Sequence, residues 1–263
     1  MKYKLTDETK EYFGRTLHRI VCVTAFGNVA VGDVGGFVEK EENLSQLGNA
    51  WVYGNAEVYG DAKVCGDAKV CGNAKVCGDA KVWGNAEVCG NAKVCGDAEV
   101  WGNAEVYGDA EVWGNAKVCG DAEVYGDAKV CGNAEVCGNA KVCGDAKVCG
   151  DAKVCGNAEV WGNAEVYGDA KVCGNAKVCG DADYIVLKNN WSSGRYFTYT
   201  LSNDKWKVGC FYGSGKELIA KAYKDSELSG DCYKAAVEFV EKIKEAKKKA
   251  ETTEDSSAIE KEK

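Results

Sequence analysis

Proline is absent from this 263-residue sequence, and methionine and histidine occur once each. No apolar run approaches the roughly 18 residues that a membrane-crossing helix requires. With His18 as the single imidazole, a zinc site built from several histidines is excluded. There is no paired Cys-x-x-Cys either, so neither of the common tetrahedral zinc patterns is present and no metal or cofactor is expected. The amino-terminal Met1-Lys2-Tyr3-Lys4-Leu5 lacks the apolar segment of a signal peptide, which makes a cytoplasmic location the expectation.

A basic surface is missing as well. The stretch from Ala50 to Asp181 carries 12 Lys against 9 Glu and 11 Asp, which accounts for the whole net charge of −8. A phosphate backbone has no positive stripe to follow there, so nucleic acid is not an expected partner, and nor is a membrane.

What fills that stretch is one six-residue phrase, Ala-x-Val-x-Gly-Asn/Asp, written 22 times without insertion or deletion. A period this short means that no unit buries a core alone and that order comes from stacking. Alternation along a strand puts Ala and Val on one side, and Lys or Glu together with Cys, Tyr or Trp on the other. Charges in such numbers cannot be buried, so the Ala/Val side faces inward. Gly and the following Asn or Asp tolerate a turn, so the chain bends every six residues, and three phrases close a triangular coil of 18. Helix is excluded, because Gly would recur every six residues and the apolar positions would spread around all sides.

This pattern resembles the hexapeptide-repeat, or isoleucine-patch, β-helix family, in which a small residue precedes an inward aliphatic by two places, as Ala68 and Val70 or Ala104 and Val106 do here. The resemblance implies a left-handed triangular β-helix. The near-perfect Gly-Asn-Ala and Gly-Asp-Ala steps look most like bacterial and phage repeat proteins assigned as acyltransferases or polymer-forming cytoskeletal proteins. Related solenoids commonly pair or trimerise through flat faces, which implies a homo-oligomer. Acyltransferases of the family use a His general base beside a loop that leaves the coil. Here His18 precedes the first coil, and the 22 phrases contain neither His nor loop, so no catalytic residue is assigned.

Thirteen of the 16 cysteines stand at the outward fourth place of the phrase. They read as free thiols, since a stacked spacing of roughly 4.8 Å is longer than the about 3.5 to 4.5 Å that disulfide Cβ atoms prefer. Aromatics share that place. Tyr53, Tyr107, Tyr125 and Trp161 fall along one face and are the expected self-association surface, while Tyr59, Trp113 and Tyr167 fall along a second and Trp83 with Trp101 on the third.

Residues 1–25 read as a polar lead-in followed by a capping strand, Arg19 to Ala25. Residues 26–49 read as a degenerate first coil with a charged loop at Glu39 to Asn43, and 50–183 as the regular solenoid. Residues 184–250 form a small α+β domain of ββαα type, with a strand at Tyr184 to Leu187 and a hairpin of Tyr196–Leu201 and Lys205–Tyr212. It continues with a helix from Ser214 to about Tyr223 and a second from about Asp231. The charged tail 251–263 reads as disordered. This domain resembles a carboxy-terminal module of phage and prophage solenoid proteins. Ser214 and Glu217 have capping-box spacing. Alternatively, Ser214, Gly215 and Lys216 at the helix start, with Arg195, would receive an anionic ligand.

The fold class is therefore mainly β, a single-stranded triangular β-helix with an N-terminal cap and a C-terminal α+β domain. The function expected is a non-catalytic scaffold or assembly protein presenting a recognition domain. Two alternatives stand beside it: an acyltransferase-like enzyme, and a phage-type binding protein that sequesters a nucleotide-like ligand or blocks a host protein.

Overall fold

The structure, a computed structural model, describes residues 1–180, 183–191 and 194–261, with 250–261 described as backbone alone. Asp181 of the last phrase and Ser192 and Ser193 before Arg195 lie outside the described residues. The chain divides into two compact units, Met1–Asp183 and Tyr184–Lys263.

In the first unit every phrase yields one short strand, from Trp51–Val52 to Lys177–Val178, 22 in all among the described residues. Each but the last three pairs in parallel with the strand 18 residues on: Glu87 lies between Lys69 and Glu105, and Val88 between Val70 and Val106. The backbone bonds follow the same step, Lys69 N–H to Ala86 O at 2.9 Å and Cys71 N–H to Val88 O at 2.9 Å. Three ladders result, one of eight rungs, one of seven, and a third of seven joined to amino-terminal strands. The 18-residue parallel β-solenoid expected from the repeat is thus observed. Its interior consists of Ala and Val with no exposure, Ala104 and Val106 among them.

The corners explain the glycines. Gly84 has φ of +74°, and a Cβ on it would stand 2.9 Å from the carbonyl oxygen of Gly102 on the next coil. Only a residue without a side chain permits that backbone conformation together with that approach.

The amino terminus is more ordered than its polarity suggests. Strand β1 (Tyr3–Tyr12) and strand β2 (Arg15–Cys22) form an antiparallel hairpin. The hairpin turns through Phe13 (φ 47°) and Gly14 (φ 73°), both in the left-handed region that tight hairpins use. Strand β2 pairs with β3 (Val34–Val38), which joins the first full coil through Val38 and Val58. The capping strand ends at Cys22 rather than Ala25, and the lead-in is itself a strand. Its charged run from Thr6 to Lys10 is explained by position, since β1 is the sheet's edge and charge there opposes pairing with another chain. Tyr3 and Trp51, both essentially unexposed, close the open end, with the Tyr3 hydroxyl donating to Leu44 O at 2.7 Å. The expected loop at Glu39 to Asn43 contains a 3-10 turn, Glu41–Asn43. The buried Asn43 amide in it donates to Gly60 O and Ala62 O at 3.0 and 2.9 Å.

The second unit has a four-stranded antiparallel sheet in chain order, Tyr184–Lys188, Tyr196–Thr200, Lys205–Val208 and Phe211–Gly213. The span Lys205–Tyr212, expected as one strand, breaks at Gly209 (φ 55°) and Cys210 and doubles back. Helices α1 (Gly215–Asp225) and α2 (Glu227–Lys261) follow. The backbone from Glu251 to Lys261 continues α2, and residues 262 and 263 of the charged tail lie outside the described residues. Phe197, Tyr199, Trp206, Leu218 and Val240 form the core of this unit.

Candidate functional site

Because the coils are in register, each outward fourth place stands above another 18 residues away, and at several of them two like residues meet. Trp83 stacks on Trp101 with ring centres 5.2 Å apart, and Tyr107 on Tyr125 at 4.9 Å. Tyr53, Tyr107, Tyr125 and Trp161 all flank strands of the eight-rung ladder, so the sequence places them on one face as the structure does. Trp161 is 45% exposed, and on one neighbouring face Tyr167 and Trp113 are 43% and 37% exposed.

The cysteines correct the sequence reading. Cys71 is bonded to Cys89 and Cys131 to Cys149 as disulfides between successive coils, so these four are not free thiols. Their Cα atoms are 4.6 and 4.7 Å apart, inside the range of about 4.4 to 6.8 Å for Cα pairs. Side chains that lean toward each other close the gap that the strand spacing leaves. Cys119, Cys137, Cys155 and Cys173 stack consecutively on a third face, with Cys155 Sγ 2.6 Å from Cys173 Sγ. Burial pushes Cys119 up to about 11, and a hydrogen bond with Cys155 together with burial pushes Cys137 upward too. Among the described residues no group of three or more His, Cys, Asp or Glu side chains converges as metal ligands.

Cys77 behaves differently, chiefly because of Cys95 one coil away. Cys77 stands one coil above Tyr59 and one coil below Cys95 in the same outward column, and Lys75 lies two residues before it in the chain. The Cys95 bond, then the Tyr59 bond and the Lys75 and Arg15 cations, outweigh burial and bring Cys77 down to about 7. Cys95 and Tyr59 move upward, as donors to a thiolate must: Cys95 chiefly through its bond to Cys77, and Tyr59 chiefly through burial. Tyr12 of β1 packs on Tyr59 at 5.4 Å and receives the Lys75 ammonium 3.8 Å from its ring centre. Glu57, 2% exposed, pairs with Lys10 and, at 3.2 Å, with Lys75. The 18-residue step alone brings Tyr59, Cys77 and Cys95 together. Sequence gave no sign of Tyr12 and Arg15, because their approach depends on how the hairpin folds back.

The second-place charges form ladders with the same step. Lys69–Glu87, Lys93–Glu111 and Lys153–Glu135 pair at 2.6, 2.8 and 2.7 Å. At one corner Asp109, Asp127 and Asp145 line a groove of about 630 Å³ with Asn91, Lys93, Glu111, Lys129 and Lys147, a mixed and solvated surface. His18 is half-buried in β2 with Nδ1 3.3 Å from Thr6 O.

The carboxy-terminal candidates separate. Ser214 caps α1, its N–H and hydroxyl both donating to Glu217 Oε2 at 2.8 Å, so a carboxylate of the chain already occupies the helix start. Gly215 is fixed by packing, since a Cβ there would meet Val237 at 2.7 Å. Lys216 follows on the first turn of α1. Arg195 instead lines a cleft of about 90 Å³ with Phe211, Lys221, Asp225 and Tyr233, without Ser214 or Lys216. A drug-sized ligand usually needs about 300 Å³ or more. Among the described residues no helix is long and apolar enough to cross a membrane.

A scan against protein-family models finds no match to this chain, and neither does a search of curated proteins.

Proposed function

We propose that the chain is a hexapeptide-repeat β-helix of the left-handed kind, acting as a non-catalytic scaffold or spacer. It self-associates through the face bearing Tyr53, Tyr107, Tyr125 and Trp161 and presents its carboxy-terminal α+β unit for recognition. The observation that carries this reading is the 45% exposure of Trp161 on the face it shares with Tyr53, Tyr107 and Tyr125. A large ring left in water at the end of an aromatic column is the kind of surface that a second copy covers. The uniformity of the rungs supports it too, since chemistry needs groups that differ from their surroundings and regular stacking supplies stiffness instead. A cytoplasmic setting belongs to the same proposal. There the cross-coil disulfides arise from oxidation events rather than from a standing oxidising environment.

Light scattering on the purified chain is the test. A mass above the 28.1 kDa of one chain, changing in step when whole 18-residue coils are deleted, supports the scaffold. A mass that stays at one chain as concentration rises sinks it.

A further inference from the structure

In the eight-rung ladder the first rung is already occupied, since Trp51 is covered by Tyr3 and Phe26 with ring centres 6.1 and 5.5 Å away. Between it and the last rung lie six, whose outward second places run Lys69, Glu87, Glu105, Glu123, Lys141 and Glu159. Lys69, Glu87, Lys141 and Glu159 each keep at least 38% of the side chain in water, although each is also paired along the column. Taken from the opposite end, the order of charge largely inverts: Lys69 is matched by Glu159, and Glu87 by Lys141. A face complementary in charge to its own reverse suits a two-fold contact, in which residue i meets j and j meets i. The fourth places share that centre. Trp161 is matched by Cys71, Cys89 by Cys143, and Tyr107 by Tyr125. The protruding indole thus falls on a small residue, and the flat tyrosine pair falls on its own equivalent.

We propose that two copies of this chain pack antiparallel through this face, about a two-fold axis that runs along the strand direction between the rungs of Tyr107 and Tyr125. The face itself rests on the self-association proposed above, while the axis follows from what other registers would do. An axis on the Tyr107 rung sets Lys69 against Lys141 of the second copy and Glu87 against Glu123. An axis on the Tyr125 rung sets Lys69 against Lys177 and Glu87 against Glu159. Both registers bring like charges together twice over, which costs affinity. A parallel pair, with its axis along the solenoid, lays each ring on the charge of its own coil, Trp161 on Glu159 and Tyr107 on Glu105, and desolvates carboxylates against carbon. In the antiparallel pair Trp161 instead lies on the Cys71–Cys89 disulfide, a sulfur surface that aromatic rings favour. One like contact remains at the centre, Glu105 on Glu123, where Lys141 already holds Glu123 at 2.9 Å.

Complementary charge reversals test the register. Glu87→Lys and Lys141→Glu are made singly in the full chain and followed by light scattering over rising concentration at low salt, where exposed pairs are least screened. Within one chain the two positions are three coils apart, roughly 14 Å at about 4.8 Å per coil, so neither reversal repairs the other there. Alone, each variant brings like charges together at two places in the pair, and its self-association is expected to weaken at least about 10-fold. An equal mixture of the two variants sets opposite charges at both places and is expected to regain the parent's association. A loss caused by poorer folding would persist in the mixture. Reversals that leave the mass unchanged, or a mixture no better than either variant while Trp161→Ser still lowers the parent's mass, overturn the antiparallel register and leave the face standing. A parent chain that stays at the mass of one copy overturns both.

Discussion

Tyr107 lies flat on Tyr125, the two ring planes parallel although 18 residues separate them in the chain. Each ring covers a face of the other, which leaves Trp161 as the most exposed ring of that column among the large exposed side chains. Trp161→Ser is therefore expected to lower the mass measured by light scattering toward a single chain. Tyr167→Ser, on a neighbouring face, should leave it unchanged. The reverse pattern would place the contact on the other face.

The two cross-coil disulfides each close a loop of 18 residues. Loops of this length restrict the unfolded chain by about 3 kcal/mol apiece in the chain-entropy account. Urea midpoints of the oxidised chain should fall clearly on adding dithiothreitol. A Cys71→Ser, Cys131→Ser double variant should start low and respond much less.

Val106→Ala removes two buried methyl groups, and a loss of about 2 kcal/mol is expected from transfer and cavity together. Gly84→Ala should cost as much or more, because it forces an alanine into φ of +74° as well as against the Gly102 backbone. Glu105→Gln, on an outward and exposed position, should stay within about 0.5 kcal/mol. Denaturation in urea ranks the three, and a Gly84→Ala as mild as Glu105→Gln would contradict the tight corner.

Asp204 accepts a hydrogen bond from the Tyr199 hydroxyl at 2.6 Å and pairs with Lys244 at 2.9 Å. Together these hold its carboxyl below the usual value of 3.8, while burial first and Asp204 next push Tyr199 up to about 12. A depressed carboxylate contributes its stability above the unfolded-state value and loses it as pH falls through the lower folded value. Asp204→Asn, which still tolerates the φ of 51° at this turn, should be less stable than the parent at pH 6. That gap should shrink as pH falls below about 4. Thermal unfolding followed through Trp206 at both pH values measures it.

Ser214→Ala should cost the second unit about 1 kcal/mol, the usual value of a lost N-cap. Adding phosphate should not restore it, since Glu217 fills the helix start. A thermal shift with and without phosphate decides.

The solenoid was legible because one rule, repeated, fixes every rung: Ala and Val cannot share a side with Lys and Glu, so the inward face follows from alternation alone. The three columns follow from the step of 18, and so Tyr107 and Tyr125 could be placed together in advance. The disulfides were not legible, because strand spacing says how far apart the backbones are and nothing of how two Sγ atoms lean. Nor was the hairpin: Thr6 to Lys10 looks unstructured when an edge strand carries charge instead of alternating apolar residues. In the second unit the extra reversal hinges on Gly209, one residue in a run that otherwise reads as continuous strand. The candidate cluster at Cys77 was half legible, its column being set by periodicity and its Tyr12 and Arg15 neighbours by folding at long range.

The sameness of the corners gives this molecule an unusual relation to its own length. Excising residues 80–85, one complete phrase, would leave every remaining alanine and valine with an equivalent berth inside the tube, yet everything downstream would swing by a third of a revolution. Trp101 would then arrive over Cys77 in place of Cys95. The interior is indifferent to such slippage while the exterior is scrambled by it, so gains and losses in threes of phrases are the ones that keep the outward columns aligned.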